Sequence, residues 1–315
     1  MRRALTIISP VFNEEDVIES FYNELKKTLD SIDTNYKSKI LFVIDRCTDR
    51  TLEIIDRLAQ RDHSVSYLVM SSRFGHQMSL LAGIDTAKSD VYIMMDSDLQ
   101  HPPALINDML KCYEEGFEVV YTLRKTTEKQ GLIRKLCSKY FYRLMNALSD
   151  ASIYENAADF RLISEKVAIV FRQQIRERNM FLRGLVSWVG FKQKSLEYIA
   201  APRFAGKSKY SVAQMFKLAG DALISFSTFP LTVSLIVGTF FSLLGFLYAL
   251  TTFFQFILYR QLPNGWTTLI ILITIFSGVQ LLCLGMVGAY VGGIYSEVKK
   301  RPHYIIDHLI NYQEV

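Results

Sequence analysis

Val91-Tyr92-Ile93-Met94-Met95-Asp96-Ser97-Asp98-Leu99-Gln100-His101-Pro102-Pro103 is the stretch on which the fold turns. Its first residues form an apolar run too short for a helix, which reads as a buried strand over 91–96. Pro102 suits the first turn of a following helix, where a backbone N–H has no partner anyway. Strand, polar turn and helix make half of a βαβ unit. The two carboxylates at the strand end are hard oxygen ligands that suit Mg²⁺ or Mn²⁺, and Gln100 offers a third oxygen. A plain helix cap would also use such aspartates.

Outward from this stretch the same alternation recurs. Residues 4–12 form an apolar strand, and Asn13 is placed to cap a helix in which Val17, Ile18, Phe21, Leu25, Leu29 and Ile32 repeat at helical spacing. Strand 39–45 leads to a helix near 49–60, and strand 65–70 to one near 76–87. Strand 118–123 precedes a helix near 131–148. Such alternation predicts an α/β domain with a mostly parallel sheet, whose ligands lie beyond the carboxyl ends of the strands.

Polar motifs stand at those ends in a fixed order. Ser9-Pro10-Val11-Phe12-Asn13-Glu14 follows the first strand, and Ile44-Asp45-Arg46-Cys47-Thr48-Asp49 the second. Ser72-Arg73-Phe74-Gly75-His76-Gln77 follows the third, then comes Asp96-Ser97-Asp98, and later Ala158-Asp159-Phe160-Arg161-Leu162. The ordered set resembles the family 2 glycosyltransferases of the GT-A fold (Rossmann-like, mostly parallel sheet). Within them it is similar to the polyprenyl-phosphate sugar transferases, the group of dolichyl-phosphate mannose synthase and its bacterial GtrB- and ArnC-type relatives. The usual Asp-Asp-Gly-Ser after the second strand is here Ile44-Asp45-Arg46-Cys47, so the Gly-Ser turn is absent from the sequence.

The resemblance implies roles residue by residue. Pro10, Glu14, Asp45 and Asp96 would bind the nucleotide-sugar, with Asp96, Asp98 and Gln100 on Mg²⁺ or Mn²⁺. Asp159 and Arg161 would be catalytic, Asp159 at the position often assigned to a base. The acceptor would be a polyprenyl phosphate, held by Arg124, Arg134, Ser138 and Arg203. A phosphate monoester with a second pKa near ~6 is largely dianionic at neutral pH and offers little proton for a base to remove. Asp159 then reads either as that base or as a group that orients a basic side chain or the sugar. His76 and His101 have no ligand partners at metal spacing and are expected to be structural. The donor is expected to be UDP-glucose, with GDP-mannose or a UDP-aminoarabinose donor as alternatives. A catalytically silent scaffold or flippase subunit is the alternative from another class.

Charge divides the 315 residues sharply. Residues 222–259 and 261–296 carry none, so Arg260 is the single charge in that region, while the remainder holds 66 of the 67 charged side chains. Each uncharged run exceeds the ~20 residues a membrane-spanning helix needs. The chain therefore divides into a cytosolic domain over 1–210, an amphipathic interface helix over 211–227, a membrane hairpin over 228–296 with spans near 229–257 and 267–293, and a cytosolic tail over 297–315. Lys207, Lys209 and Lys217 precede the hairpin and Lys299, Lys300 and Arg301 follow it. Positive charge on that side places both termini in the cytosol, at the inner (plasma) membrane. Gly288 with Gly292, and Gly285 with Ala289, are spaced to let helices approach closely. No secretory signal is read at the N-terminus, and the four scattered cysteines suggest neither zinc nor a disulfide framework. The partners expected are a nucleotide-sugar donor, polyprenyl phosphate and the lipid bilayer, with no nucleic acid; the family resemblance implies a homo-oligomer, a tetramer.

Overall fold

The computed structural model describes residues 2–125, 157–178, 180–199, 227–259 and 265–311. Arg134, Ser138, Arg203, the helix expected over 131–148, all but the last residue of the helix expected over 211–227, and residues 260–264 lie outside them. Two compact units are present, one built on a sheet and one on two long apolar helices, and Arg301–Val315 belongs to the first.

The sheet unit begins with β1 (Arg3–Val11), α1 (Ile18–Ile32), β2 (Tyr36–Ile44), α2 (Thr51–Arg61), β3 (Val65–Met70), α3 (His76–Thr86), β4 (Val91–Met94) and α4 (Leu105–Glu114). It continues with β5 (Val119–Lys125), β6 (Ala157–Ser164), α5 (Glu165–Gln173), α6 (Leu182–Trp188) and β7 (Gln193–Ile199). After the helical unit, β8 (Ile306–Ile310) completes an eight-stranded sheet in the order β7-β5-β6-β4-β1-β2-β3-β8. The β1–β2, β1–β4, β2–β3 and β5–β7 pairs are parallel. Antiparallel pairing joins β4 to β6, β5 to β6 and β3 to β8.

The buried faces follow the apolar spacing. Ile18, Phe21, Leu25 and Leu29 of α1 are buried, as are Ile55, Leu58 and Ala59 of α2. Against them stand fully buried β1 and β2 residues such as Leu5, Ile7, Ile40 and Phe42. Helix α3 packs more closely on the sheet. All residues from Ser79 to Ile84 are buried, and a Cβ at Gly83 would stand 2.2 Å from Ile8 Cγ2. Glycine at this position lets α3 lie directly on β1.

β2 and β4 flank β1, so the strand order reverses there, and the sheet opens at its carboxyl edge. The β1–β4 ladder ends at Ile8–Met94, two residues before Pro10, which has no N–H to continue it. A reversal of this kind is where an open α/β sheet forms its ligand crevice.

Beyond the expected elements, the tail is part of the sheet. Tyr304 Oη donates to Asp85 Oδ2 at 2.5 Å, Asp85 also receives both Arg176 Nη atoms at 2.8 Å, and Asn311 Nδ2 donates to Ala59 O. These contacts seat the returning chain beside β3.

The helical unit holds α7 (Phe229–Tyr259) and α8 (Trp266–Val298). Phe229–Leu258 and Thr268–Val298 have mean hydropathies of 2.1 and 2.4 in their most apolar windows and are long enough to cross a membrane. Their surface is apolar, with Leu235 and Leu282 more than two-thirds exposed. Side chains of this kind facing outward associate with a membrane. The close helix contact falls at Gly245, where a Cβ would lie 3.1 Å from Phe276 Cζ. Gly285, Gly288 and Gly292 have nothing within 4 Å of a Cβ, so the expected glycine face is not the one joining α7 to α8.

Candidate active site

The loops at the carboxyl ends of β1, β2, β3 and β4 surround a cleft of about 210 Å³. Pro10, Phe12 and Glu14 enter from β1, Asp45 from β2, Arg73, Gly75 and His76 from the β3–α3 loop, and Asp96 and Asp98 from β4. Every expected nucleotide-binding residue is here. Arg73 lies over the Phe12 ring at 3.9 Å, a stacked cation on the cleft wall.

The first two loops are stitched together. Asn13 does not cap α1, which begins only at Ile18; its side chain instead receives Thr48 N–H at 2.9 Å and donates to Thr48 Oγ1 at 3.0 Å. Glu14 N–H donates to Thr51 Oγ1 and Arg50 N–H to Glu15 Oε2. The turn that lacks Gly-Ser has its own contacts. Arg46 adopts φ 52°, a left-handed conformation glycine takes freely and an L-residue takes at a cost of about 1 kcal/mol. Its Nη1 donates to Ser71 O at 3.1 Å. Cys47 Sγ accepts from Asn13 N–H at 3.2 Å, a contact a serine hydroxyl could also make. Burial pushes the Cys47 thiol up, so it stays protonated. Asn13 (φ 56°) and Leu99 (φ 60°) are left-handed as well, so three such residues mark the ends of β1, β2 and β4. Strained backbone of this kind gathers at functional sites.

Asp45 is almost wholly buried and accepts Phe74 N–H at 2.7 Å and Gly75 N–H at 2.9 Å, one on each oxygen. The carboxylate therefore ties the end of β2 to the loop leading into α3. Gly75 carries φ 92°, which suits the sharp entry to the helix.

At the end of β4, Asp96 Oδ1 is buried without a hydrogen-bond partner, and Asp98 Oδ1 accepts from Gln100 N–H at 3.1 Å. An orphaned carboxylate oxygen beside a second carboxylate fits a divalent cation, whose charge would offset the cost of burying it. No set of three or more His, Cys, Asp and Glu side chains placed to hold a metal occurs among the described residues, so other ligands, such as a bound diphosphate, would complete its shell. Gln100 is turned away: it is buried, and its Oε1 accepts from Arg124 Nη1 at 3.2 Å. One expected metal oxygen is thus joined to one expected phosphate-binding cation.

Asp159 sits near the start of β6. That strand is antiparallel to β4, so its start lies at the same sheet edge as the end of β4. The Asp159 side chain is only 5% exposed and does not line the cleft. His76 Nε2 is 3.2 Å from Asp159 Oδ2 and 3.6 Å from Asp96 Oδ1. The tautomer with its proton on Nε2 donates to the Asp159 carboxylate. Arg161 is enclosed, 3% exposed, with its guanidinium on Ala158 O, Asp159 Oδ1 and Leu182 O. It anchors Asp159 from the protein side.

The two histidines differ in role. His101 is structural: it stacks on Phe160 at 5.1 Å, its Nδ1 accepts from Asp96 N–H, and burial holds its pKa below the usual imidazole value. His76, expected to be structural, stands in the cleft wall.

The chain matches the model of glycosyl transferase family 2 over residues 6–170. It is 40% identical over 301 residues to the uncharacterized glycosyltransferase YkcC of Bacillus subtilis (strain 168), covering 96% of this chain and 92% of the relative. It is 36% identical over 302 residues to the SfII prophage-derived bactoprenol glucosyl transferase of Shigella flexneri, covering 96% and 97%. Among solved structures, the Mycobacterium tuberculosis glucosyl-3-phosphoglycerate synthase complex with Mn²⁺, UDP-glucose and phosphoglyceric acid aligns with a TM-score of 0.47 at 16% identity, over 70% of this chain and 78% of that one. The protein belongs to glycosyl transferase family 2 and is a glycosyltransferase. Its similarity to the bactoprenol glucosyl transferases runs through the apolar helices as well as the sheet unit.

Proposed function

We propose that the protein transfers glucose from UDP-glucose to a polyprenyl phosphate, with inversion at the anomeric carbon. The single observation that carries this reading is the near full-length similarity to bactoprenol glucosyl transferases, in a chain whose sheet ends in a cleft holding Asp45, Asp96 and Asp98. The nucleoside lies toward Asp45 and the ribose toward Asp96. Asp96 and Asp98 hold Mg²⁺ or Mn²⁺, which when bound neutralises charge on the departing diphosphate.

The acceptor oxygen attacks the anomeric carbon from the face opposite the diphosphate, and the C–O bond to the diphosphate breaks as the new one forms. Nearly all of the acceptor is already ionised, so no side chain has to take a proton. Asp159 orients and Arg161 holds it. Two anions must meet in this step, and Arg124 on β5, with Arg134, Ser138 and Arg203, supplies the positive and hydrogen-bonding groups for the acceptor phosphate.

A lipid-bound acceptor explains the apolar helices. In this reading they form a two-span hairpin in the plasma membrane, both termini and the sheet unit face the cytosol, and four copies assemble as a tetramer. Cysteine probes at Asn264 should label from outside intact cells and probes at Gln313 should not; the reverse pattern overturns the topology. The donor is tested by offering the purified protein polyprenyl phosphate with a panel of labelled UDP- and GDP-sugars. UDP-glucose should be consumed fastest. Preference for GDP-mannose or an aminoarabinose donor overturns the donor assignment, and turnover of none supports the silent-scaffold reading.

A further inference from the structure

We infer that His76, rather than Asp159, is the side chain that meets the transferred sugar, and that Asp159 acts through it. The inference rests on the proposed donor and on the placement of four groups.

Asp159 stands behind the cleft wall with its side chain 5% exposed, whereas His76 lines the cleft and is 40% exposed. Both Asp159 oxygens face protein groups, Oδ1 toward Arg161 Nη2 at 3.5 Å and Oδ2 toward His76 Nε2 at 3.2 Å. A sugar in the cleft reaches the imidazole before it reaches the carboxylate. The sheet order says which part of the donor this is. Strands run β2, β1, β4, β6, so the groups at their ends run from Asp45 through Asp96 and Asp98 to Asp159. With the nucleoside at Asp45 and the diphosphate at Asp96 and Asp98, the position beside Asp159 is the sugar's.

His76 reaches that position from the far side because its loop is clamped. Asp45 accepts from Phe74 and Gly75, the two residues before it, and Gly83 seats the other end of α3 on Ile8. The imidazole is thereby held by its backbone from one side and by Asp159 from the other. A preset hydrogen-bonding edge of this kind adds affinity for a hydroxyl-bearing ligand at little ordering cost. Asp45 then serves two purposes, nucleotide contact and alignment of the histidine.

The test is calorimetric titration of UDP-glucose and of UDP into the purified full-length protein with Mg²⁺ present, for wild type, His76→Ala, His76→Asn, Asp159→Ala and the His76→Ala/Asp159→Ala pair. Wild type should bind UDP-glucose more tightly than UDP. His76→Ala and Asp159→Ala should each weaken UDP-glucose about tenfold, the scale of one lost hydrogen bond, and leave UDP within about twofold. The pair should lose no more than either single variant, and His76→Asn, which keeps an N–H donor, should recover part of the loss. Wild-type affinity for UDP-glucose in His76→Ala beside a loss in Asp159→Ala overturns the inference, because Asp159 then meets the sugar itself. Equal loss of UDP in His76→Ala, or additive losses in the pair, also overturns it. A wild type that binds no UDP-glucose overturns the donor assignment and this inference with it.

Discussion

Gly83→Ala should destabilise the protein and slow it, although alanine is the better helix former. In an open helix interior the exchange stabilises by about 1 kcal/mol. Here the new methyl would lie 2.2 Å from Ile8 Cγ2 and 3.3 Å from Val43 Cγ2. Carbon atoms pack at about 3.5–4.0 Å, so α3 or β1 must give by more than an ångström. Ile8 is fully buried in the sheet, and its branched side chain is stiff at χ1, so it cannot swing aside. Overpacking of this kind costs about 1–3 kcal/mol; a clash this close takes the upper end and leaves a net loss of about 2 kcal/mol. For a unit of this size that lowers the apparent melting temperature by roughly 4–8 °C. The rate should suffer more than the stability. His76 begins the same helix, and a displacement near 1 Å at a reacting site costs up to about 10²-fold. Thermal unfolding in detergent and initial transfer rates well below the melting temperature measure the two effects. A melting temperature raised by a few degrees with an unchanged rate would show that α3 has room at Gly83 and would refute the reasoning.

Arg46→Gly should be tolerated or slightly stabilising, since relief of the left-handed backbone, about 1 kcal/mol, outweighs an exposed hydrogen bond to Ser71 O; a melting temperature several degrees lower would contradict this. Asp98→Asn, and chelator added to wild type, should each cut the rate at least ~10²-fold, and full activity in EDTA would remove the cation from the account. Asp159→Asn should cost less rate than Asp159→Ala, and both should keep the acidic limb of the pH–rate profile near ~6, where the acceptor phosphate ionises; equal losses with a flattened limb would make Asp159 a base. Burial would raise the Asp62 carboxyl, but hydrogen bonds from Ser64, Lys26 and Tyr22 prevail and hold it well below the usual carboxylate range. A depressed folded pKa stabilises above the unfolded value of about 3.9 and loses that contribution as pH falls further. The melting-temperature gap between wild type and Asp62→Asn should therefore be full at pH 7 and shrink below pH 4; a gap independent of pH would contradict it.

The parallel half of the sheet was legible because each strand is a short apolar run closed by a polar turn, and the helices between repeat at 3.6 residues. Local pattern carries no information about edge pairing, and there the reading stopped. β8 joins β3 across the whole helical unit, β6 was seen only as a motif, and β7 was not read at all. Asp45, Asp96 and Asp98 line one cleft because strand ends of a parallel sheet share an edge. The side-chain partners were not legible. Gln100 turning to Arg124, Arg161 enclosed behind Asp159, and His76 in the cleft wall depend on contacts 24, 2 and 83 residues apart. His76 did have one signal: it opens a helix directly after Gly75, in the turn that follows β3 at the carboxyl edge, where a ligand-facing residue belongs. Arg46 shows a further limit, since it holds a left-handed conformation that glycine usually announces in a sequence.

The most direct measurement follows labelled glucose from UDP-glucose into the organic phase when the purified protein is given polyprenyl phosphate. The account predicts a single lipid-linked glucose, β-configured after inversion of the α-linked donor and dependent on both the lipid phosphate and a divalent cation. Label that stays in the aqueous phase with active, cation-supplied protein, or a lipid product of retained configuration, would contradict it.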